Sequence, residues 1–299
     1  MKAFDYAAPA TLHEALSLIA SGNGGGTRAL AGGTDLLVQM RAGRLRPDRV
    51  VDLKRVPELT ELRLDRSGLR IGAAVPCYQI YGNAEIARTY PGLIDAASII
   101  GGVGIQGRAT LGGNLCNSSP SGDSIPILIA LGASANIAGP NGQRSVPVEA
   151  FCTGPGRNVL DAGELLVSLT IPPARPQTGA HYQRFIPRYE MDIAVVGVGA
   201  AVELSPDGQT IRSARVALAA VAPTPLFVAE AGAALEGKPA SEASLAAAAE
   251  AARTAARPIT DMRGTAAQRT HLVGVLTTRV LRGAIARARG QEVESAHVH

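Results

Sequence analysis

Tryptophan is absent from the 299 residues, Phe, Tyr and Trp together make up 3%, and only three cysteines occur. Each shortage removes a class of function. Single-stranded nucleic acid is held largely by bases stacked on aromatic rings beside a basic groove. Here rings are scarce, and the arginines behind the net charge of +4 are scattered along the chain. A solvated surface that prefers Arg to Lys accounts for that charge, so no nucleic-acid partner is expected. The basic segment TTRVLRGAIARARG reads as a core-packing helix with an ordinary charged face. Cys77, Cys116 and Cys152 lie far apart, with no C-x-x-C pair and no neighbouring histidine. Neither zinc nor an iron–sulfur cluster finds its ligands here, and the thiols are expected to be reduced and mostly buried.

Long apolar runs are missing too. SIPILIALGASANIAG is interrupted by Ser134 and Asn136, short of the roughly 20 apolar residues of a membrane helix. The opening MKAFDYAAPATLHEALSLIASG carries Asp5, His13 and Glu14 where an export signal needs an unbroken apolar centre. A cytoplasmic protein with no transmembrane segment is expected. Side-chain chemistry is thin. The five histidines, His13, His181, His271, His297 and His299, have no partner at recognisable spacing, and no G-x-S-x-G elbow, carboxylate pair or G-x-x-x-x-G-K-[ST] loop is found.

What the chain does have is apolar content, 46%, enough for several buried cores. Its patterning divides it into three units and a tail. Residues 1–57 open with the helix TLHEALSLIASG, started by a Thr11–Glu14 capping box, with Leu12, Ala15, Leu16 and Ile19 on one face and Gly22 as its stop. A short buried strand TRALAGG, a helix TDLLVQMRAG and a strand RVVDLKRV follow. Residues 58–176 read as a hairpin LRLDRSGLRIGA, helical stretches from Pro76 to about Ile100, the apolar helix SIPILIALG, and a hairpin turning at Asn141-Gly142. Pro-rich IPPARPQTG leads into residues 177–290, two long strands around Pro206-Asp207-Gly208 and then Ala-rich helices. Residues 291–299 read as a frayed tail.

Two glycine loops stand out. In LAGGTDLL a strand runs into Gly32-Gly33, and Thr34 and Asp35 open a helix. Glycine lets backbone approach a ligand, and a helix start offers unpaired N–H groups with roughly half a positive charge, which suits an anion. A tight turn capped by Thr34 would use the same residues, and the spacing leaves both readings open. RATLGGNLCNSSPSGDSIP repeats the arrangement with Thr110, the turn Gly112-Gly113 and Asn114, then Asp123 before the next helix. Two such turns suit the two phosphates of a dinucleotide held between subdomains. Asp123, acceptor-only when ionised, suits ligand hydroxyls or serves as a plain N-cap. Gly102, Gly104 and Gly107 satisfy G-x-G-x-x-G, but the preceding PGLIDAASII looks helical, so a Rossmann site is rejected. Cofactor binding without side-chain acid–base machinery fits electron transfer.

ALAGGTDLL, ATLGGNLCNSSPSGDSIP, FCTGPGRNVLDAGELLVSLTIP and YQRFIPRYEMDIAVV, in that order over nearly the whole length, closely resemble the FAD-binding medium subunit of the molybdenum hydroxylases, the family of bacterial xanthine and carbon monoxide dehydrogenases. The resemblance implies an α+β fold of the p-cresol methylhydroxylase type, two subdomains sandwiching FAD and a C-terminal domain of antiparallel sheet and helices. The family's pyrophosphate loop falls on Ala31, Gly32, Gly33, Thr34 and Asp35, with Arg28, Ala29 and Leu30 leading in. Its second loop falls on Thr110, Leu111, Gly112, Gly113 and Asn114, and its flavin-contacting aspartate on Asp123. Ile100, Gly101, Gly102 and Leu166 are implied beside the cofactor, and Arg184 stands where several relatives have a lysine. Ile193 replaces the tyrosine that the carbon monoxide branch tends to place against the flavin, and the cysteine-rich insertion of the benzoyl-CoA reductase relatives is missing.

The resemblance further implies partners: a large molybdopterin subunit, a small subunit with two [2Fe-2S] clusters, and pairing into a dimer of heterotrimers. Electrons would pass from the nearer cluster through FAD to NAD+, a quinone, a cytochrome or oxygen. A free-standing flavin oxidase or reductase of the same fold is the alternative, though no histidine lies in either glycine loop to tether a flavin. An enolpyruvyl-glucosamine reductase lacks the TGPGRNVL and MDIAVV matches, and a scaffold without cofactor would not need both loops.

Overall fold

A computed structural model describes residues 2–22, 26–188 and 191–294. Of the expected tail, residues 295–299, with His297 and His299, lie outside the described residues, as do Tyr189 and Glu190 of the last motif.

The first unit comprises β1 (Asp5–Ala7), α1 (Leu12–Ala20), β2 (Thr27–Leu30), α2 (Leu36–Arg41) and β3 (Arg49–Asp52), its strands forming a parallel sheet in the order β1-β3-β2. The capping box starts α1 in a shifted form: Thr11 Oγ1 accepts from Glu14 N at 3.2 Å, while the Glu14 carboxylate accepts from Ala10 N at 3.1 Å, one residue earlier than a capping box requires. The expected buried strand TRALAGG is half-buried instead, because β2 is the edge of the sheet and its flank faces a cleft.

The second unit runs through α3 (Pro57–Thr60), β4 (Leu62–Asp65), β5 (Gly68–Gly72), α4 (Cys77–Tyr81), α5 (Ala84–Thr89), α6 (Pro91–Ala97), α7 (Val103–Gln106), α8 (Leu111–Asn117), α9 (Ser124–Ala130), β6 (Ser134–Gly139), β7 (Gly142–Pro147), β8 (Cys152–Gly154), β9 (Arg157–Asn158) and β10 (Leu165–Ile171). The helical region from Pro76 is three short helices, cut where Asn83 Oδ1 caps α5 and where Pro91 begins α6. Both expected hairpins form, and β10, which the sequence left unassigned, pairs between them in an antiparallel sheet β4-β5-β10-β6-β7. A bulge between Leu166 and Ser168 shifts the β10 register against β6.

The third unit is an antiparallel sheet of β11 (Thr178–Phe185), β12 (Val196–Leu204), β13 (Ile211–Ala219) and β14 (Leu226–Phe227), followed by α10 (Ala229–Ala233), α11 (Glu242–Ala255) and α12 (Ala266–Ala288). Strand alternation puts Val196, Val198, Ala200 and Val202 of β12 into one core with α11 and α12. The opposite face meets α9 so closely that a Cβ on Gly199 would lie 2.7 Å from the Pro126 backbone. The chain is thus a mixed α+β structure whose middle unit packs against both others. Of the three thiols, Cys77 is buried, Cys116 and Cys152 are half-buried, and all are free.

Strand β11 fastens the third unit to the second. Asp95 on α6 accepts from His181 Nδ1 at 2.6 Å, from Tyr182 N at 3.1 Å, and from both guanidinium ends of Arg287 on α12. Burial acts to raise the Asp95 carboxyl, but hydrogen bonds and charge from His181 and Arg287 prevail and hold it at about 2. As an ionised carboxylate only accepts, His181 carries its proton on Nδ1. With the folded value below the ordinary 3.8, this group stabilises the fold above 3.8, and the contribution is lost as pH falls through about 2. Asp95→Asn is therefore expected to cost about 3 kcal/mol at pH 7, with the gap to the parent protein closing between those pH values. Urea titrations across that range check it; a gap that stays constant down to pH 2 refutes it.

Candidate functional site

A cleft of about 600 Å³ opens between the first and second units, within the size range of cofactor sites. Arg28 and Ala29 of β2 line it, then Ala31, Gly32, Gly33, Thr34 and Asp35 of the following loop. The facing wall carries Thr110, Gly112, Gly113 and Asn114, with Ile100 and Leu166 at its sides. Leu30, Gly101, Gly102, Asp123 and Arg184 do not line the cleft.

The two glycine loops meet backbone to backbone. A Cβ on Gly32 would sit 2.0 Å from the Arg108 carbonyl oxygen, and one on Gly112 would sit 2.6 Å from Ala73. Gly33 has φ +77°, which disfavours any side chain. The second loop differs from the expected Gly-Gly turn: Gly112 and Gly113 form the first turn of α8, and Thr110 caps it by accepting from Gly113 N at 2.8 Å. Glycine is needed there for the approach to Ala73 rather than for a bend. In contrast, nothing lies within 4 Å of a Cβ on Gly104 or Gly107, so those two positions of the rejected G-x-G-x-x-G do not need glycine for close approach.

The donors on offer are clear. Among the described residues, the N–H groups of Gly32, Gly33, Thr34 and Asp35 donate to nothing within the chain, Thr34 and Asp35 provide no side-chain cap to α2, and Asn114 Nδ2 is equally unspent. Four backbone donors, an amide and a Cβ-free loop fit an anionic diphosphate.

Asp123 lies behind this wall. It precedes α9 but makes no cap hydrogen bond. Its oxygens are engaged by Tyr182 Oη at 2.8 Å and Arg184 Nη1 at 2.5 Å. Burial pushes the Asp123 carboxyl up, opposed by the charge of Arg184 and the hydrogen bonds of Tyr182 and Arg184. The Arg184 side chain is 3% exposed, and its buried Nε finds no partner among the described residues. Ile193 is exposed nearby on the segment after Asp192, whose carbonyl accepts from Arg184 at 3.5 Å.

Sequence reasoning missed Lys54. Its Nζ donates to the Ala31 carbonyl at 3.2 Å and to Asp52 Oδ1 at 2.7 Å, while Tyr6 Oη donates to Asp52 Oδ2 at 2.6 Å. Burial acts to raise Asp52, but the hydrogen bonds from Lys54 and Tyr6 hold it below its ordinary value. An ion pair thus braces the first glycine loop from beneath. The signal available was a lysine two residues past the end of β3, the strand paired with β2. Cys116 also lines the cleft, but burial pushes its thiol up to about 12, leaving it protonated and a poor nucleophile near neutral pH. No group of metal-ligating side chains occurs among the described residues.

The model of the FAD binding domain in molybdopterin dehydrogenase matches residues 2–174, and that of the CO dehydrogenase flavoprotein C-terminal domain matches residues 181–284. The carbon monoxide dehydrogenase medium chain of Hydrogenophaga pseudoflava is 32% identical, over 95% of this chain and 98% of its own length. The xanthine dehydrogenase FAD-binding subunit of Escherichia coli O157:H7 is 33% identical over 96% of this chain and 99% of its own. Among solved structures, a chain of the Hydrogenophaga pseudoflava carbon monoxide dehydrogenase superposes with a TM-score of 0.91 at 32% identity, covering 96% of this chain and 98% of the other. Quinoline 2-oxidoreductase from Pseudomonas putida 86 contains one with a TM-score of 0.88 at 31% identity, covering 96% and 99%.

The glycine geometry makes a contrast that stability measurements can read. Gly32→Ala and Gly112→Ala force backbone apart and are expected to cost about 2–3 kcal/mol each, and Gly33→Ala about 1–2 kcal/mol from its left-handed backbone. Gly104→Ala and Gly107→Ala should stay within about 0.5 kcal/mol of the parent. Equal losses at all five positions in thermal unfolding would refute this assignment of the cleft walls.

Proposed function

The chain belongs to the FAD-binding subunit family of the molybdenum hydroxylases, and we propose that it is the flavoprotein of such an oxidoreductase complex, carrying electrons from a partner's [2Fe-2S] clusters to an external acceptor. The observation that carries this reading is the convergence of two glycine loops whose unspent N–H donors face one cleft. FAD, when bound, supplies one- and two-electron redox chemistry that this chain's own side chains lack.

The residues divide that work. Gly32, Gly33, Thr34 and Asp35 offer backbone donors to the diphosphate, and Asn114 adds an amide from the opposite wall. Lys54 keeps the first loop in place through the Ala31 carbonyl. Leu166, beside the β10 bulge, and Ile100 contribute apolar walls that keep water from the ring system. Arg184 is held on Asp123, whose neighbour Ser124 contacts Asn114 of the cleft wall, with Nε unspent, and its fixed positive charge there would favour a reduced, anionic ligand. Gly101, Gly102 and Leu30, which the family pattern also puts beside the cofactor, do not line the cleft.

The family's medium chains work with large and small partner subunits, and the same arrangement is proposed here: a molybdopterin subunit that hydroxylates substrate, an iron–sulfur subunit, and a dimer of heterotrimers. No helix among the described residues is long and apolar enough to cross a membrane, which accords with the proposed cytoplasmic location. The protonated Cys116 thiol favours non-covalent FAD over a tethered flavin.

The test is direct. The purified chain should show a flavin visible spectrum, acid should release intact FAD, and free FAD at about 100 times its dissociation constant should stabilise the fold by about 2.7 kcal/mol. A colourless chain that takes up no added FAD would overturn the reading. Arg184→Glu should lower FAD content or shift the flavin potential to more negative values; if both hold steady, Arg184 does not serve the cofactor.

A further inference from the structure

Asn114 is the cleft-lining amide that directly follows Gly112-Gly113, with Asn117 three residues further along α8, and an amide is useful to a ligand only if its orientation is settled. Oδ1 accepts from Ser124 Oγ at 2.7 Å and lies 3.4 Å from Ser124 N. The Ser124 hydroxyl could face either end of the amide, because it both donates and accepts. Its backbone N–H can only donate. The end of Asn114 beside Ser124 is therefore the oxygen, and Nδ2 is left for the cleft.

We propose that Ser124 is a positioning residue for cofactor binding: by holding Asn114 Oδ1, it turns Nδ2 towards the cleft as a donor and makes that wall selective for acceptor-only groups, the phosphates of the dinucleotide. This rests on the flavin reading above. The surroundings support it. Ser124 is fully buried, so water does not compete for its hydroxyl. Gly122 leaves the space: a Cβ there would lie 3.1 Å from Asn114 Oδ1. Ser124 is itself anchored, since its neighbour Asp123 is gripped by Tyr182 and Arg184 from β11. A chain of contacts thus runs from the third unit through Asp123 and Ser124 to Asn114, although neither Asp123 nor Ser124 lines the cleft. A phosphate oxygen has no proton to offer and takes an N–H without conflict. The flipped amide would turn Oδ1 on the same oxygen and repel it.

The experiment uses the full chain, stripped of flavin and titrated with FAD and, separately, with riboflavin, which has no phosphate. Ser124→Ala is expected to weaken FAD about tenfold and to leave riboflavin within a factor of two. In an Asn114→Ala background the same Ser124→Ala change should have no further effect on FAD, which a general loosening of α9 would not reproduce. Asn114→Asp, which keeps the shape but places an oxygen towards the cleft, should weaken FAD at least a hundredfold with riboflavin again little changed; this variant decides the matter if Ser124→Ala fails to fold. Ser124→Ala binding FAD like the parent, equal losses for both ligands, or Asn114→Asp retaining FAD would each overturn the inference while leaving the flavin reading intact. A parent chain that binds no FAD removes both.

Discussion

Asp95 and Asp123 are carboxylates with little access to water, and a buried carboxylate is tolerable only when donors surround it. Tyr182 serves both: its backbone N–H points to Asp95 and its hydroxyl to Asp123. Neighbours on the same strand complete the arrangement, His181 on Asp95 and Arg184, two positions beyond Tyr182, on Asp123. Three positions of β11, His181, Tyr182 and Arg184, together with Arg287 of α12, therefore settle the charges of two helices in the middle unit, α6 and the start of α9. Because β11 is also the first strand of the third sheet, that sheet cannot shift without exposing both carboxylates to a medium in which they are unpaired. The cleft wall inherits this rigidity, since α9 begins where Asp123 is held.

The first unit is joined to the cleft by a different device. Its parallel sheet is small, and β2 lies at the edge, so the glycine loop after β2 has little packing of its own. The Tyr6, Asp52 and Lys54 network supplies a fixed point beneath the loop, and the close approach of Gly32 to Arg108 supplies another. Between these anchors the loop's N–H groups remain unspent. A segment held firmly at its carbonyls and left free at its amides is prepared for an anion without further rearrangement, which limits the ordering cost of binding.

Much of the architecture was legible in the chain. The capped α1, the hairpins at Ser67-Gly68 and Asn141-Gly142, the long strands around Pro206-Asp207-Gly208 and the terminal helices all depend on neighbours within a few residues, and they form. β10 was missed as an element because its partner β5 lies far away in the chain, and β11 because the segment joining it to its neighbour β12 carries no glycine turn to mark a hairpin. The turn at Gly112-Gly113 was misread for a related reason: the need for glycine comes from Ala73, forty residues earlier in the sequence, and not from local curvature. Asp123 likewise read as a contact for ligand hydroxyls or as a helix cap; it caps nothing, and its partners are on β11.

The class of the molecule and the positions of the two glycine loops are written in local residue patterns, in turn chemistry, periodicity and four ordered motifs. Tertiary contacts alone bring the two loops to one cleft, put Lys54 on the Ala31 carbonyl and Ser124 on Asn114, and take Asp123 and Arg184 out of the cleft lining. Hydrogen-bond partners and close approaches are properties of surfaces that meet only on folding, between residues 10 positions apart for Asn114 and Ser124, 23 for Ala31 and Lys54 and 61 for Asp123 and Arg184, and no spacing along one stretch of chain encodes which donor will remain unspent after they meet.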